Sequence, residues 1–269
     1  MSITVASLHI YPIKSIGGFS VTQATLTDRG FEHDRRWMLV DERGRFLSQR
    51  ELPTMACLHT TPGSTGMVVT DTRTSEELEL PWSTHGGAMV SGKVWDDEVE
   101  LIEHSTEASA WFSRRLGHAC RLMYMPDGSK RAVDPTYARG ITSLSDGFPY
   151  LVLSQATLDD LNARLELPVP MDRFRPNVVI AGGFAFQEDG WTEIRVGAVD
   201  LRLVKPCGRC MIVTTDQNSG ERTKEPLRTL ATYRSRGAKV LFGMNAVGPT
   251  QGTIRVGDPV QVIQPSSAC

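Results

Sequence analysis

Residues 193–210 read Glu193-Ile194-Arg195-Val196-Gly197-Ala198-Val199-Asp200-Leu201-Arg202-Leu203-Val204-Lys205-Pro206-Cys207-Gly208-Arg209-Cys210. Apolar side chains occupy alternate positions on both sides of Gly197, the period of a half-buried strand, and glycine supplies the turn between them. The stretch therefore predicts a β-hairpin, followed by a turn carrying two thiols, a lysine and an arginine. That turn leads into the apolar run Met211-Ile212-Val213.

The same signals recur outward from this hairpin. Residues 3–11 and 19–26 alternate, and Pro12-Ile13-Lys14-Ser15-Ile16-Gly17-Gly18 loops between them. Residues 36–40 and 45–49 predict a hairpin around Asp41-Glu42-Arg43-Gly44, and residues 253–256 predict another that turns through Gly257-Asp258-Pro259 into 260–263. Three segments carry helical spacing. Residues 105–116 align Ala108, Trp111 and Phe112; residues 154–165 offer Ser154 as N-cap before Leu158, Leu161 and Leu165; residues 225–234 align Leu227, Leu230 and Tyr233. The expected class is mainly β with a few helices (α+β). The stretch 126–142, rich in proline, glycine and charge, suggests two domains, 1–120 and 121–269.

With 269 residues, 40% of them hydrophobic, the chain can build one large core or two modest ones. Lysine plus arginine (29) nearly balance aspartate plus glutamate (31), so no global field favours nucleic acid or an anionic membrane. The first fifteen residues have neither a basic nor an apolar leader region, and no stretch approaches the roughly 20 apolar residues of a membrane span. A cytoplasmic protein without a membrane anchor is expected. Five cysteines are dispersed apart from one close pair, Cys207 and Cys210, so reduced thiols are expected.

Three features could carry chemistry. Beside Cys207 and Cys210, Lys205 and Arg209 favour the thiolate, the form that attacks or binds a metal. Zinc would need two more ligands, and the six histidines supply no second close pair. A redox dithiol would need a helix N-terminus, whereas β-branched residues follow; two buried thiols packed as small hydrophobes would need nothing more. Second, Lys14 with Ser15, Arg35 with Arg36, and Arg173 with Arg175 near Asn177 suit a phosphate or another anion, though each alone reads as a solvated or salt-bridged surface group. Neither a G-x-G-x-x-G helix opening nor a Walker A sequence is present. Third, Ser145-Asp146-Gly147-Phe148-Pro149 precedes the apolar run 150–153. By itself it is a turn, in which Asp146 becomes a proton donor or acceptor only if it faces a cofactor.

Together these segments resemble the MOSC family, in the subgroup with an N-terminal MOSC-associated barrel that includes bacterial N-hydroxylaminopurine-resistance proteins and the mitochondrial amidoxime reducing component. The resemblance rests on Tyr11-Pro12-Ile13-Lys14-Ser15, Asp34-Arg35-Arg36-Trp37, Ser145-Asp146-Gly147-Phe148-Pro149, Phe174-Arg175-Pro176-Asn177, Cys207-Gly208-Arg209-Cys210 with Thr214-Thr215-Asp216, Lys224-Glu225-Pro226-Leu227, Leu241-Phe242-Gly243 and Val256-Gly257-Asp258-Pro259-Val260, in that order.

The resemblance implies a MOSC β-barrel packed with an N-terminal MOSC-associated, barrel-like β domain, and a molybdenum cofactor (molybdenum-molybdopterin) between them. It implies that Cys210 is the metal ligand and a catalytic residue, and that Asp146 is an acid near the metal, acting as a proton relay. Lys14, Ser15, Arg35, Arg175, Asn177 and Asn245 would hold the pterin and its phosphate, with Gly147, Phe148, Gly208 and Arg209 closing the pocket. The implied activity is reduction of small N-hydroxylated substrates such as amidoximes, hydroxylamines and N-hydroxylated bases, a detoxifying reaction. Because the C-x4-C-x2-C cluster motif of a fused ferredoxin is missing, electrons are expected from a separate flavin reductase, ferredoxin or cytochrome. A monomer is expected. The alternative is a sulfur, persulfide or molybdenum-cofactor carrier without turnover; a purely structural β domain would leave the cations without a shared ligand.

Overall fold

The computed structural model describes residues 2–84 and 87–265; Cys269 lies outside the described residues. The hairpin that opened the reading is present. Strands Trp191–Val196 and Val199–Arg209 pair antiparallel, Val196 facing Val199, with Gly197 at φ +57. The second strand, however, runs past Val204 as far as Arg209, so Cys207 and Arg209 belong to a strand rather than to the expected turn, and Cys210 is the first residue beyond it. Two register shifts, between Leu203 and Lys205 and between Pro206 and Gly208, disturb its pairing with Lys239–Val247. Such bulges bend a strand and re-aim its side chains.

Among the described residues this hairpin belongs to a nine-stranded sheet. Its order is Phe19–Val21, Thr4–Ile10, Val178–Ala181, Tyr150–Ser154, Lys239–Val247, Val199–Arg209, Trp191–Val196, Val260–Pro265, with Ser235–Arg236 added beside Lys239–Val247. Tyr150–Ser154 and Val178–Ala181 run parallel, joined through helix Gln155–Asn162, which Ser154 caps by accepting from the Thr157 N–H at 3.0 Å. The curled sheet buries Leu8, Val152, Ile180, Ile194, Leu201 and Ala246. The class is mainly β, as expected.

The first half builds a second core on a four-stranded sheet, Trp37–Val40, Arg121–Tyr124, Asp97–Glu103 and Met89–Val94. Helix Thr106–Leu116 covers it. Ser105 caps this helix through the Ala108 N–H at 3.0 Å, Gly117 ends it at φ +62, and Ala108, Trp111, Phe112 and Leu116 face inward at helical spacing. Burial of a side chain such as Phe112 contributes about 1.5–3 kcal/mol.

Three local expectations change. Residues 19–26 bend at Thr22 into Phe19–Val21 and Gln23–Thr27, which serve different sheets. Residues 45–49 return past Trp37–Val40 with one bridge, Val40 to Phe46, and the Leu47 N–H bonding to Leu39 O; the ladder stops there because Trp37 pairs along the same edge with the chain at Pro12, Ile13 and Lys14. Gly252–Arg255 and Val260–Pro265 do not form a hairpin. The turn's backbone groups bond elsewhere, the Gly257 N–H to Val5 O and the Gly197 N–H to Pro259 O, so the chain turns a corner between two sheets.

The halves exchange strands. Thr4–Ile10 lies in the nine-stranded sheet, Gln23–Thr27 pairs with Gly252–Arg255, and Arg121–Tyr124, directly after residue 120, sits in the sheet of the first half. Buried Gln49 and Gln217 exchange amide hydrogen bonds at 3.0 and 3.1 Å, and Arg222 donates to the carbonyls of Gln49 and Arg50. No helix among the described residues is long and apolar enough to cross a membrane.

Candidate functional site

The His9 N–H donates to Asn177 O and the Asn177 N–H to Leu151 O, so the chain after Thr4–Ile10, the approach to Tyr150–Ser154 and the approach to Val178–Ala181 lie side by side. The bulged end of Val199–Arg209 closes the space in front of them. Every residue that the resemblance assigned to the cofactor lines this one cleft of about 130 Å³, from Lys14 in the first loop to Asn245 on the strand Lys239–Val247.

One wall is built on Tyr11. The guanidinium groups of Arg35 and Arg175 lie over its ring, 4.4 and 4.3 Å from the centroid. Two like charges so close repel, and beneath them buried Asp34 takes part of the load: it accepts from Arg35 Nη1 at 2.6 Å and from the Tyr11 N–H at 2.9 Å. Burial raises the Asp34 carboxyl, with Arg35 opposing it, and pushes the Tyr11 hydroxyl up to about 12. Burial and Arg35 bring Arg175 down to about 10, still charged at neutral pH. Among the described residues the Arg175 guanidinium makes no hydrogen bond, so its donors remain for a ligand.

Ser15, Arg35 and Arg175 stand at φ +64, +49 and +53. Left-handed backbone costs a non-glycine residue about 1 kcal/mol or more and is concentrated at functional sites. It turns all three toward one space.

Across the cleft, Lys14 Nζ donates to Asp146 Oδ1 at 2.5 Å. The Lys14 side chain is 5% exposed, whereas that of Asp146, deep-set but facing the open cleft, is 65% exposed. Desolvation disfavours the Asp146 anion, yet the charge and hydrogen bond of Lys14, aided by Arg50 and Arg35, outweigh it and hold the carboxyl well below its ordinary range. Burial lowers Lys14, with Asp146 opposing. Arg131, itself buried, fixes the Asp146 loop by donating to the carbonyls of Ser143, Ser145 and Asp146.

Cys210 Sγ accepts from Arg50 Nη2 at 3.3 Å. Cys207, one wall away, is a thiol that burial pushes up, with Arg209 opposing. Arg209 spends Nε on Phe242 O and Nη1 on Phe174 O, which leaves Nη2 buried without a partner. Asn177 is satisfied internally, accepting from the Leu151 N–H and donating to His9 O, while Asn245 donates to Lys205 O. Phe148 turns its ring into a small apolar cluster with Val133, Ala138 and Val247. Only its backbone is left for the cleft. A Cβ on Gly147 would meet open space.

Arg173 lines the cleft but is held by Asp216 at 2.8 Å, and Arg36 is tied to Met125 O and Asp127 outside it. The sequence reading gave no role to Tyr11, Arg131 or Arg50. Tyr11 lay inside a quoted motif; Arg50 meets Cys210 across 160 positions and leaves no local signal. Among the described residues no group of three histidine, cysteine, aspartate or glutamate side chains gathers as for a metal, and both cysteines of the pair are free.

Residues 2–119 match the MOSC N-terminal beta barrel domain and residues 140–261 the MOSC domain. The chain is 34% identical to mitochondrial amidoxime-reducing component 1 of Mus musculus, over 97% of this chain and 82% of that protein. It is 33% identical to the Homo sapiens protein of that name, over 97% and 83%. It is 29% identical to the molybdenum cofactor sulfurase of Solanum lycopersicum, over 95% of this chain but 35% of that longer protein. The chain therefore belongs to the MOSC family and carries both of its domains.

Proposed function

We propose that this chain reduces small N-hydroxylated compounds with a molybdenum cofactor held in the cleft, electrons coming from a separate donor. The observation that carries the reading is one thiol, Cys210, facing a set of cations whose donors are not spent: the whole Arg175 guanidinium and Nη2 of Arg209. A soft sulfur suits molybdenum, and a buried phosphate needs several cationic donors to offset its desolvation, so the residues present fit the group. Similarity to proteins named amidoxime-reducing components points the same way.

In this reading Cys210 ligates the metal. Arg175, Arg35, Arg209 and Ser15 hold the anionic part of the cofactor, with backbone from Gly147, Phe148 and Gly208 shaping the pocket. When bound, the group supplies two-electron redox chemistry, by which an N–OH compound takes two electrons and two protons and yields N–H and water. Protons must be held near that bond. Asp146, expected as the relay acid, is kept ionised by Lys14, so the pair stores its proton on Lys14 Nζ. Asp146 then orients Lys14 and favours its charged form rather than donating a proton itself.

A second reading, a sulfur or cofactor carrier, is favoured by the similarity to the sulfurase. One experiment separates them: molybdenum and pterin content of wild type and Cys210→Ala, with reduction of an aryl amidoxime by a reduced viologen dye. About one molybdenum per chain, lost in Cys210→Ala, with turnover in wild type, supports the reductase. Protein from cofactor-replete cells that carries persulfide on Cys210 and no molybdenum overturns it.

A further inference from the structure

Beside the thiol stands a feature that cofactor binding does not use. Trp95 occupies the two-residue turn between Met89–Val94 and Asp97–Glu103, where Val94 faces Asp97. It sits at φ +58, a place that favours glycine, and it is 38% exposed. A tryptophan serving only the core would be buried and would not need left-handed backbone.

Pairwise contacts link Trp95 to two residues of the site, Cys210 and Lys14. The Arg50 guanidinium lies over the indole at 4.5 Å and donates to Cys210 Sγ at 3.3 Å. The Phe46 ring meets Trp95 edge-on at 5.1 Å, and Lys14 Nζ lies 4.9 Å from the Phe46 centroid. The same turn is tied to the opposite lip, because Arg131 pairs with Asp97 at 2.7 Å while holding the carbonyls of Ser143 and Ser145. The first half thus presents an exposed indole and a flat guanidinium one side chain away from the reactive sulfur. Both surfaces favour a flat π-system over an aliphatic chain.

We propose that Trp95, backed by Arg50, is the substrate-selecting rim of the cleft, and that it seats planar aromatic or heteroaromatic N-hydroxylated compounds beside Cys210. The proposal rests on the reductase reading for the N–OH group and on the rim geometry alone for the aromatic preference.

The test uses the full chain with its cofactor. Calorimetric titration with benzamidoxime and with acetamidoxime, without reductant so that nothing turns over, is followed by kcat/KM for both with reduced viologen. Trp95→Gly relieves the backbone and removes the indole, and Trp95→Phe keeps an aromatic ring. The expected result is an aryl-to-alkyl affinity ratio that falls about tenfold in Trp95→Gly and is largely restored in Trp95→Phe, with kcat/KM following. A ratio unchanged in Trp95→Gly, or equal losses for both compounds, overturns the proposal. If wild type binds benzamidoxime in a Trp95-dependent way but reduces neither compound, the rim stands and the reductase reading fails.

Discussion

Replacing Asp34 by alanine should expose how tightly the cation wall is strung. The side chains of Asp34 and Arg35 are 2% and 11% exposed, and the carboxylate is the hydrogen-bonded counter-ion beneath a guanidinium pair that shares the Tyr11 ring. Breaking a buried pair by removing one partner costs about 3–5 kcal/mol, because the remaining charge stays desolvated. Here the remaining charge also faces Arg175, so the upper part of that range applies. For a chain of this size roughly 2–4 °C accompany each kcal/mol, so Tm should fall by roughly 10 °C or more. Thermal unfolding followed by circular dichroism, on cofactor-free protein in a series of inorganic phosphate concentrations, makes the measurement. Phosphate should recover more stability in Asp34→Ala than in wild type, since it supplies the missing negative charge, and saturation at a hundredfold over Kd is worth about 2.7 kcal/mol. A Tm loss under about 2 °C, or equal phosphate stabilisation of both proteins, would refute the buried-pair argument.

Arg50→Ala removes the N–H donor to Cys210 and should lower retained molybdenum and cut turnover about tenfold, in keeping with a charged hydrogen bond that is partly solvent-screened; metal content after dialysis checks this, and full retention would contradict it. Lys14→Met should return Asp146 toward the ordinary carboxylate range. Since its pKa is depressed in the fold, the Asp146 contribution is present above the unfolded value and lost as pH falls through the folded one; with the two values brought together in the variant, the acid-side fall in stability that Asp146 contributes should shrink. Carboxylate NMR titration of the two proteins reads this directly. Ser105→Ala removes the N-cap of Thr106–Leu116 and should cost about 1 kcal/mol in denaturant unfolding without changing cofactor content.

The features legible in the amino-acid order are local ones. The hairpin around Gly197 and the cap Ser154 depend on neighbours within a few positions, and both are present. The errors arise where partners are distant. Alternation over residues 19–26 carries no mark of the bend at Thr22, because both pieces keep one face buried while changing sheets. Residues 253–263 have a hairpin's composition, yet their turn is occupied by Val5 and Gly197. At the site, the family pattern brought Lys14, Arg35, Asp146, Arg175 and Cys210 together in advance. It did not indicate that Lys14 and Asp146 neutralise each other, that two guanidinium groups share the Tyr11 ring, or that Arg50 reaches the thiol. Those are matters of side-chain geometry, not of residue type.

The strand exchange between the halves also sets an order of events in time. Thr4–Ile10 is made first and can pair early with Phe19–Val21 along one edge, but its other edge has no partner until Val178–Ala181 leaves the ribosome, and the edge of Gln23–Thr27 that faces Gly252–Arg255 waits longer still. At about 5–20 residues per second that second edge of the earliest strand stays open for on the order of ten to thirty seconds. During that interval its apolar residues and free backbone edge can pair with another nascent chain as readily as with their own. Yield on expression should therefore depend on how that segment is sheltered during synthesis. On the proposed reading the cofactor would be captured later still, since Arg175 and Cys210, which would hold it, are made in the second half.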